Sequence, residues 1–101
     1  MKKIIMTLFV SFSLGIDNDL LTKATSAIKV GKFEEAIIYI NKAQIDNQKN
    51  PDFFRLKALI HEMLDEPNQA KKAWGKCFKY SKDKDTKQEA KIHIQNLSEK
   101  K

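Results

Sequence analysis

The sequence has few of the residues that build irregular, disulfide-bonded or very large folds. Its 101 residues include three glycines, two prolines and one cysteine. Collagen-like, linker-like and turn-rich all-β chains are excluded, because they need many residues that permit unusual backbone angles. One cysteine cannot form an internal disulfide. The chain is also too short for a (β/α)₈ barrel or a complete dinucleotide-binding domain, which need roughly 200 residues or more.

Arginine is nearly absent. Arg55 is the only arginine among 19 lysines and arginines, which oppose 13 acidic residues and give a net charge of +6. A lysine ammonium group lacks the planar fork that binds phosphates and bases through two hydrogen bonds. The composition therefore argues against nucleic-acid recognition and leaves weaker attraction to acidic surfaces.

The N-terminus differs in kind from the rest of the chain. Two lysines, Lys2 and Lys3, precede an apolar segment, IIMTLFVSFSL, which is followed by small residues. This order is typical of a secretory signal peptide, and Ser13 and Gly15 suit the −3 and −1 positions of a cleavage site. We predict a signal peptide over 1–15 and an exported domain over 16–101, in the periplasm or cell envelope.

Two alternatives for this segment remain open, namely an uncleaved membrane anchor and a buried first helix. The apolar part spans only about half of a 30 Å hydrocarbon core at 1.5 Å per residue, which disfavours a stable transmembrane helix. We therefore predict no stable membrane insertion after signal cleavage.

The remaining chain contains an internal repeat of 34 residues. At this offset, large apolar residues align with large ones and small residues with small ones. The aligned pairs are Leu20 with Phe54, Ala24 with Ala58, Ala36 with Ala70, Ile40 with Trp74, and Ala43 with Cys77. The pattern places repeat one over 17–50 and repeat two over 51–84.

Each repeat has apolar spacing typical of two helices. Gly31 interrupts the first repeat, and a glycine there ends a helix readily. Asn50 can cap the third helix, with Pro51 in its first turn, and Pro67 opens the fourth helix.

A fifth helix is predicted over 85–98. Asp85 would be its cap, with Gln88 three residues later as in a capping box. Its single apolar stripe, formed by Ala90, Ile94 and Leu97, is typical of a terminal capping helix.

These features resemble the tetratricopeptide repeat family. The segment GKFEEAIIYINKA in repeat one and EPNQAKKAWGKC in repeat two are similar to the second-helix pattern of that family. The resemblance implies an all-α, TPR-like α-solenoid of antiparallel helix pairs, with two repeats and about five helices. It also implies a concave groove, lined by the first helix of each pair, that binds proteins or peptides.

No residue pattern indicates catalysis, a metal site or a cofactor. His61 and His93 are the only histidines, and neither belongs to a known catalytic or metal-binding motif. His61 lies on an apolar stripe, which favours a hydrogen-bonded packing role. Cys77 lies in an apolar stretch and is predicted to be structural. We predict a non-enzymatic protein without cofactor, catalytic residues or metal.

Helix-face positions define the candidate groove. Its predicted residues are Leu21, Thr25, Ile28, Arg55, Leu59, Glu62 and Met63, and the fifth helix could add Glu89 and His93. Exposed apolar residues in this arrangement are typical of a binding surface. An alternative is that Leu21 and Ile28 pack under the end of the array.

A second surface pattern is a lysine row. Lys72, Lys76 and Lys79 share one face of the fourth helix, which we interpret as a solvated face, with an acidic protein partner as the alternative.

The sequence thus predicts a protein–protein interaction module, an exported adaptor or assembly factor that binds a protein or peptide through its groove. The alternative is a structural subunit of a larger envelope assembly or a self-associating oligomer.

Overall fold

The computed structural model describes residues 18–99. They form five α-helices: α1 (Asn18–Lys29), α2 (Phe33–Gln44), α3 (Pro51–Met63), α4 (Pro67–Tyr80) and α5 (Lys84–Glu99). Over this range the chain contains no strand, so the predicted all-α class is confirmed. The predicted signal peptide over 1–15 lies outside the described residues.

The turns inside the first two helix pairs share one backbone motif. Gly31, after α1, has a φ of 81°, and Asp65, after α3 and 34 residues later, has a φ of 59°. In the first turn the N–H of Lys32 donates to the carbonyl of Ala27 at 2.8 Å. In the second turn the N–H of Glu66 donates to His61 in the same pattern, also at 2.8 Å. Both are Schellman C-caps, in which a left-handed residue reverses the chain.

The starts of α3 and α4 agree with the sequence. The side-chain oxygen of Asn50 accepts a hydrogen bond from the N–H of Asp52 at 2.8 Å, and Pro51 follows in the first turn. Pro67 is the first residue of α4. Proline fits there because the first N–H groups of a helix have no partner within it.

The start of α5 differs from the prediction. The helix begins at Lys84, and its cap is Asp83 instead of Asp85. A carboxylate oxygen of Asp83 accepts hydrogen bonds from the N–H of Thr86 at 3.0 Å and from its hydroxyl at 2.7 Å. The hydroxyl bond first, and the N–H bond second, hold the pKa of Asp83 below its usual range. Asp83 and Asp85 both lie close to the start of the helix. Asp83 is the cap because both hydrogen bonds from Thr86 go to its carboxylate.

The core consists of two apolar clusters that meet at α3. The first cluster joins α1, α2 and α3, and the second joins α3, α4 and α5. Phe53 and Ile60 of α3 belong to the first cluster, whereas Phe54 and Ala58 belong to the second. Since α3 contributes opposite sides to the two clusters, it is the central element of the fold.

Small residues lie where the helices pack closely. Their side chains are fully buried at the four aligned positions Ala24, Ala36, Ala58 and Ala70. The large residues Ile40 and Trp74, also fully buried, fill the space beside them. Such alternation of small and large side chains allows dense packing between helices. Within residues 18–99, no helix combines the length and apolar character needed to span a bilayer.

Candidate binding groove

The predicted groove residues of α1 are partly covered. Leu21 and Ile28 are half-buried and pack against the first cluster. Thr25, between them, is exposed, and its hydroxyl donates to the carbonyl of Leu21 at 2.9 Å. This part of the groove therefore offers two partly accessible apolar side chains and a hydroxyl whose proton is already bonded.

Arg55 on α3 forms a bidentate ion pair with Glu89 on α5. Nε of Arg55 lies 2.8 Å from Oε1 of Glu89, and the second guanidinium bond measures 3.0 Å. The bond from Arg55 lowers the pKa of Glu89, and the same bond raises the pKa of Arg55. Planar guanidinium and carboxylate groups match in this geometry, which fixes the angle between the two side chains.

Glu62 on α3 connects three helices. Its Oε2 accepts a hydrogen bond from Nε1 of Trp74 on α4 and lies 2.7 Å from Nδ1 of His93 on α5. The ring nitrogen donates this bond in the tautomer that carries its proton on Nδ1. The imidazole also stacks on the Trp74 indole, with the ring centres 4.3 Å apart. Glu62 is therefore held by intramolecular contacts.

The remaining α3 residues of the groove are apolar and more accessible. Leu59 is half-buried against the second cluster, and Met63 is 56% exposed. Together with Leu21 and Ile28, they are the apolar members of the predicted groove. Arg55 and Glu62 are engaged in contacts within the chain, so the apolar residues are the predicted groove positions that remain available for further contact.

The predicted lining residues Glu89 and His93 are present on α5, but their pairing was not foreseen from the sequence. Arg55 and Glu89 are 34 residues apart, so they occupy equivalent positions in α3 and in the capping helix α5. An opposite charge at this spacing is a signal that could have identified the pair.

Other chemically notable side chains have structural contacts. Cys77 is fully buried, and burial raises the pKa of its thiol. Nδ1 of His61 lies 2.7 Å from Oε1 of Glu66, the hydrogen-bonded packing role predicted for it. In the part of the chain that the structure describes, no group of three or more His, Cys, Asp or Glu side chains could hold a metal ion.

In comparisons with known proteins, the chain matches no family model, no curated protein and no solved structure.

Proposed function

We propose that this chain is a non-enzymatic, TPR-like adaptor or assembly factor that binds an apolar segment of a protein or peptide through its groove. The observation that carries the proposal is that the predicted groove positions Leu21, Ile28, Leu59 and Met63 all keep accessible apolar surface. Beside them, an ion pair with Glu89 holds Arg55 in position, and hydrogen bonds to Trp74 and His93 hold Glu62. A surface arranged before binding loses less conformational entropy when a partner docks.

The repeated geometry supports the TPR-like part of the proposal. Helices α2 and α4 begin 34 residues apart. Gly31 and Asp65, the left-handed residues of the two turns, are separated by the same number of residues. Each α-helical pair buries an alanine of both helices at aligned positions. Arrays of this kind use an extended surface of side chains to hold other proteins.

The site of action is proposed from the sequence. The basic start and apolar segment of 1–15 resemble a secretory signal, which would place the mature domain in the periplasm or cell envelope. In that setting an adaptor with a small apolar groove would meet other exported proteins.

Site-specific photo-crosslinking tests the groove. A photoreactive amino acid at Met63 is expected to give a discrete crosslinked partner in cells that make this protein. The same amino acid at Val30 is the matched control, because Val30 is 68% exposed and lies in the turn after α1. Met63→Glu should then weaken binding of the identified partner about tenfold or more, because a charge would replace buried apolar contact.

Equal crosslinking from Met63 and Val30, or undiminished binding by Met63→Glu, would show that the partner does not bind at the predicted groove. Both side chains are exposed, so neither variant should disturb the core. Unchanged helical circular dichroism and unchanged unfolding midpoints would confirm this.

The second candidate is a structural subunit or self-associating oligomer. It is favoured by Ile38 and Ile45, two exposed residues on one side of α2 that a second copy could cover. A concentration-dependent melting temperature would support it.

A further inference from the structure

The outer side of α4 carries a row of lysines, and α4 itself contains no acidic residue. Lys72, Lys76 and Lys79 are exposed and share one helix face. Among residues 18–99, the ion pairs within 4.0 Å involve none of these three lysines. The α4 lysines therefore present positive charge that no ion pair compensates, whereas α2 adds one exposed acidic residue, Glu34, on the side of Ile38.

Lys57 extends the positive charge from α4 toward α2. Its Nζ donates to Asn41 at 3.0 Å and to Gln44 at 2.7 Å, both on α2. The ring of Phe54 lies between the two basic groups, 5.3 Å from Nζ of Lys57 and 5.7 Å from Nζ of Lys76. Burial, and then the charge of Lys76, lower the pKa of Lys57. Two cations are thus held near one another at the junction of three helices.

Two exposed isoleucines lie in and directly after α2. Ile38 is 53% exposed and Ile45 is 64% exposed. Asn41 lies three residues after the first and four before the second, so all three share a side of the helix. Asn41 accepts the bond from Lys57, and Lys57 and Lys76 both lie near the Phe54 ring, so this side of α2 is linked through α3 to one lysine of the row. The basic and apolar side chains are therefore neighbours through Asn41, Lys57 and Phe54.

We propose that this surface, formed by Ile38 of α2, by Ile45 directly after α2 and by Lys72, Lys76 and Lys79 of α4, docks on an anionic lipid bilayer. We call it the outer face. The lysines would lie among the anionic headgroups, and the isoleucines would enter the boundary between headgroups and acyl chains. Peripheral binding of this kind combines electrostatic attraction with burial of apolar area. It involves no membrane-spanning helix.

The chemistry of the outer face favours a bilayer over an acidic protein or a nucleic acid. The only arginine, Arg55, is paired with Glu89, so the outer face has no forked donor for phosphate or base recognition. A nucleic-acid backbone or an acidic peptide would satisfy the lysines but leave the isoleucines in water. A bilayer surface supplies anionic and apolar layers side by side, which matches both features.

Vesicle co-sedimentation of the full chain tests the proposal. The probes are phosphatidylcholine vesicles with and without about 30% phosphatidylglycerol, a composition that gives the surface a negative potential. We expect the anionic vesicles to bind more protein than the neutral ones. The triple variant Lys72→Gln, Lys76→Gln, Lys79→Gln should lower the partition coefficient for anionic vesicles about a hundredfold.

Matched controls separate the outer face from net charge and from general hydrophobicity. Lys29→Gln, Lys32→Gln, Lys91→Gln removes the same charge from exposed lysines elsewhere and should lower binding much less. Ile38→Ser with Ile45→Ser should weaken anionic-vesicle binding about tenfold or more. The control pair is Val30→Ser with Ile92→Ser, also exposed, which should have little effect.

Several results would overturn the proposal. Equal losses in the two lysine triples would reduce it to net charge, and unchanged binding in the outer-face variants would place any contact elsewhere. Binding to polyglutamate or duplex DNA that depends on the lysines but not on the isoleucines would replace the bilayer as the partner. Because Met63→Glu lies outside the outer face, it should leave vesicle binding unchanged, so this test and that of the groove fail independently.

Discussion

At the scale of single residues, two positions depend on a left-handed backbone. Gly31 and Asp65 end the first helix of each pair with φ values of 81° and 59°. A side chain at Gly31 would meet no heavy atom within 4 Å, so space does not require glycine there. Glycine is favoured there by the backbone angle alone, because a Cβ in this conformation approaches the following carbonyl oxygen.

We expect Gly31→Ala to lower the free energy of unfolding by about 1 kcal/mol. The matched control is Gly75→Ala, in the interior of α4, where an added Cβ also meets nothing within 4 Å. That substitution should raise the free energy of unfolding by about 0.5–1 kcal/mol, because alanine favours helix over glycine. Urea unfolding measures both, and effects of the same sign would contradict this account.

Asp65→Gly is the reciprocal change in the second turn. Glycine would relieve the cost of a left-handed aspartate but would lose more backbone entropy on folding. We expect a net gain of about 0.5 kcal/mol in the free energy of unfolding, from the balance of these two effects. A clear loss of stability would mean that the carboxylate of Asp65 makes a contribution of its own.

At the scale of elements, α5 is attached partly through polar contacts. Apolar side chains such as Ala90 and Leu97 place it in the second cluster. Its contacts with α3 include the Arg55–Glu89 pair and the Glu62–His93 pair. Apolar burial supplies much of the attraction, and the ion pairs set the rotation of α5 about its axis because their geometry is directional.

A double-mutant cycle on Arg55→Met and Glu89→Gln measures the first of these pairs. We expect a coupling energy of about 0.5–1 kcal/mol at neutral pH, since solvent screens side chains that are 41% and 32% exposed. The pKa of Glu89 is lowered by the bond from Arg55, so the carboxylate contributes stability above the ordinary pKa of a glutamate. This contribution is lost as the pH falls through the lowered pKa.

The stability difference between the wild type and Glu89→Gln should therefore shrink toward zero on acidification to about pH 3. Asp46→Asn is the control, because Asp46 is exposed and belongs to none of the ion pairs among residues 18–99. A Glu89→Gln effect that does not depend on pH would exclude the ion pair as its cause.

At the scale of the whole molecule, the first and last helices carry mostly polar side chains at positions where α3, in the middle, carries mostly apolar ones. In the 34-residue alignment, α1 has Asp19, Thr22 and Ser26 where α3 has Phe53, Leu56 and Ile60. At the other end, α5 has the exposed Gln88 and Gln95 where α3 has Phe54 and His61, although Ile92, 45% exposed, replaces Ala58. The exposed polar residues, which fill five of these six positions, disfavour end-to-end stacking of copies, as in capping repeats.

We therefore expect a monomer in size-exclusion chromatography with light scattering. Its melting temperature should stay constant over about a hundredfold range of protein concentration, since no association equilibrium contributes to stability. A melting temperature that rises with concentration would favour the self-associating alternative. Ile38→Ser with Ile45→Ser would then show whether α2 forms the contact.

The sequence by itself determined the local structure of this protein. Apolar spacing predicted five helices, Gly31 predicted the first turn, and Asn50 predicted the start of α3, because these effects act within a few residues of the chain. The cap of α5 was predicted two residues late, at Asp85 instead of Asp83. Both are suitable caps, and the hydrogen bonds of Thr86 decide between them.

Only the tertiary structure decided which contacts the predicted groove residues make within the chain. From the sequence, Arg55 and Glu62 were predicted to line a binding surface, and the structure shows them bound to α5 and α4. It likewise linked Asn41, on the isoleucine side of α2, to Lys76 of α4 through Lys57 and the Phe54 ring. Such contacts depend on the angle and rotation at which helices pack, which many side chains set together and no local pattern encodes.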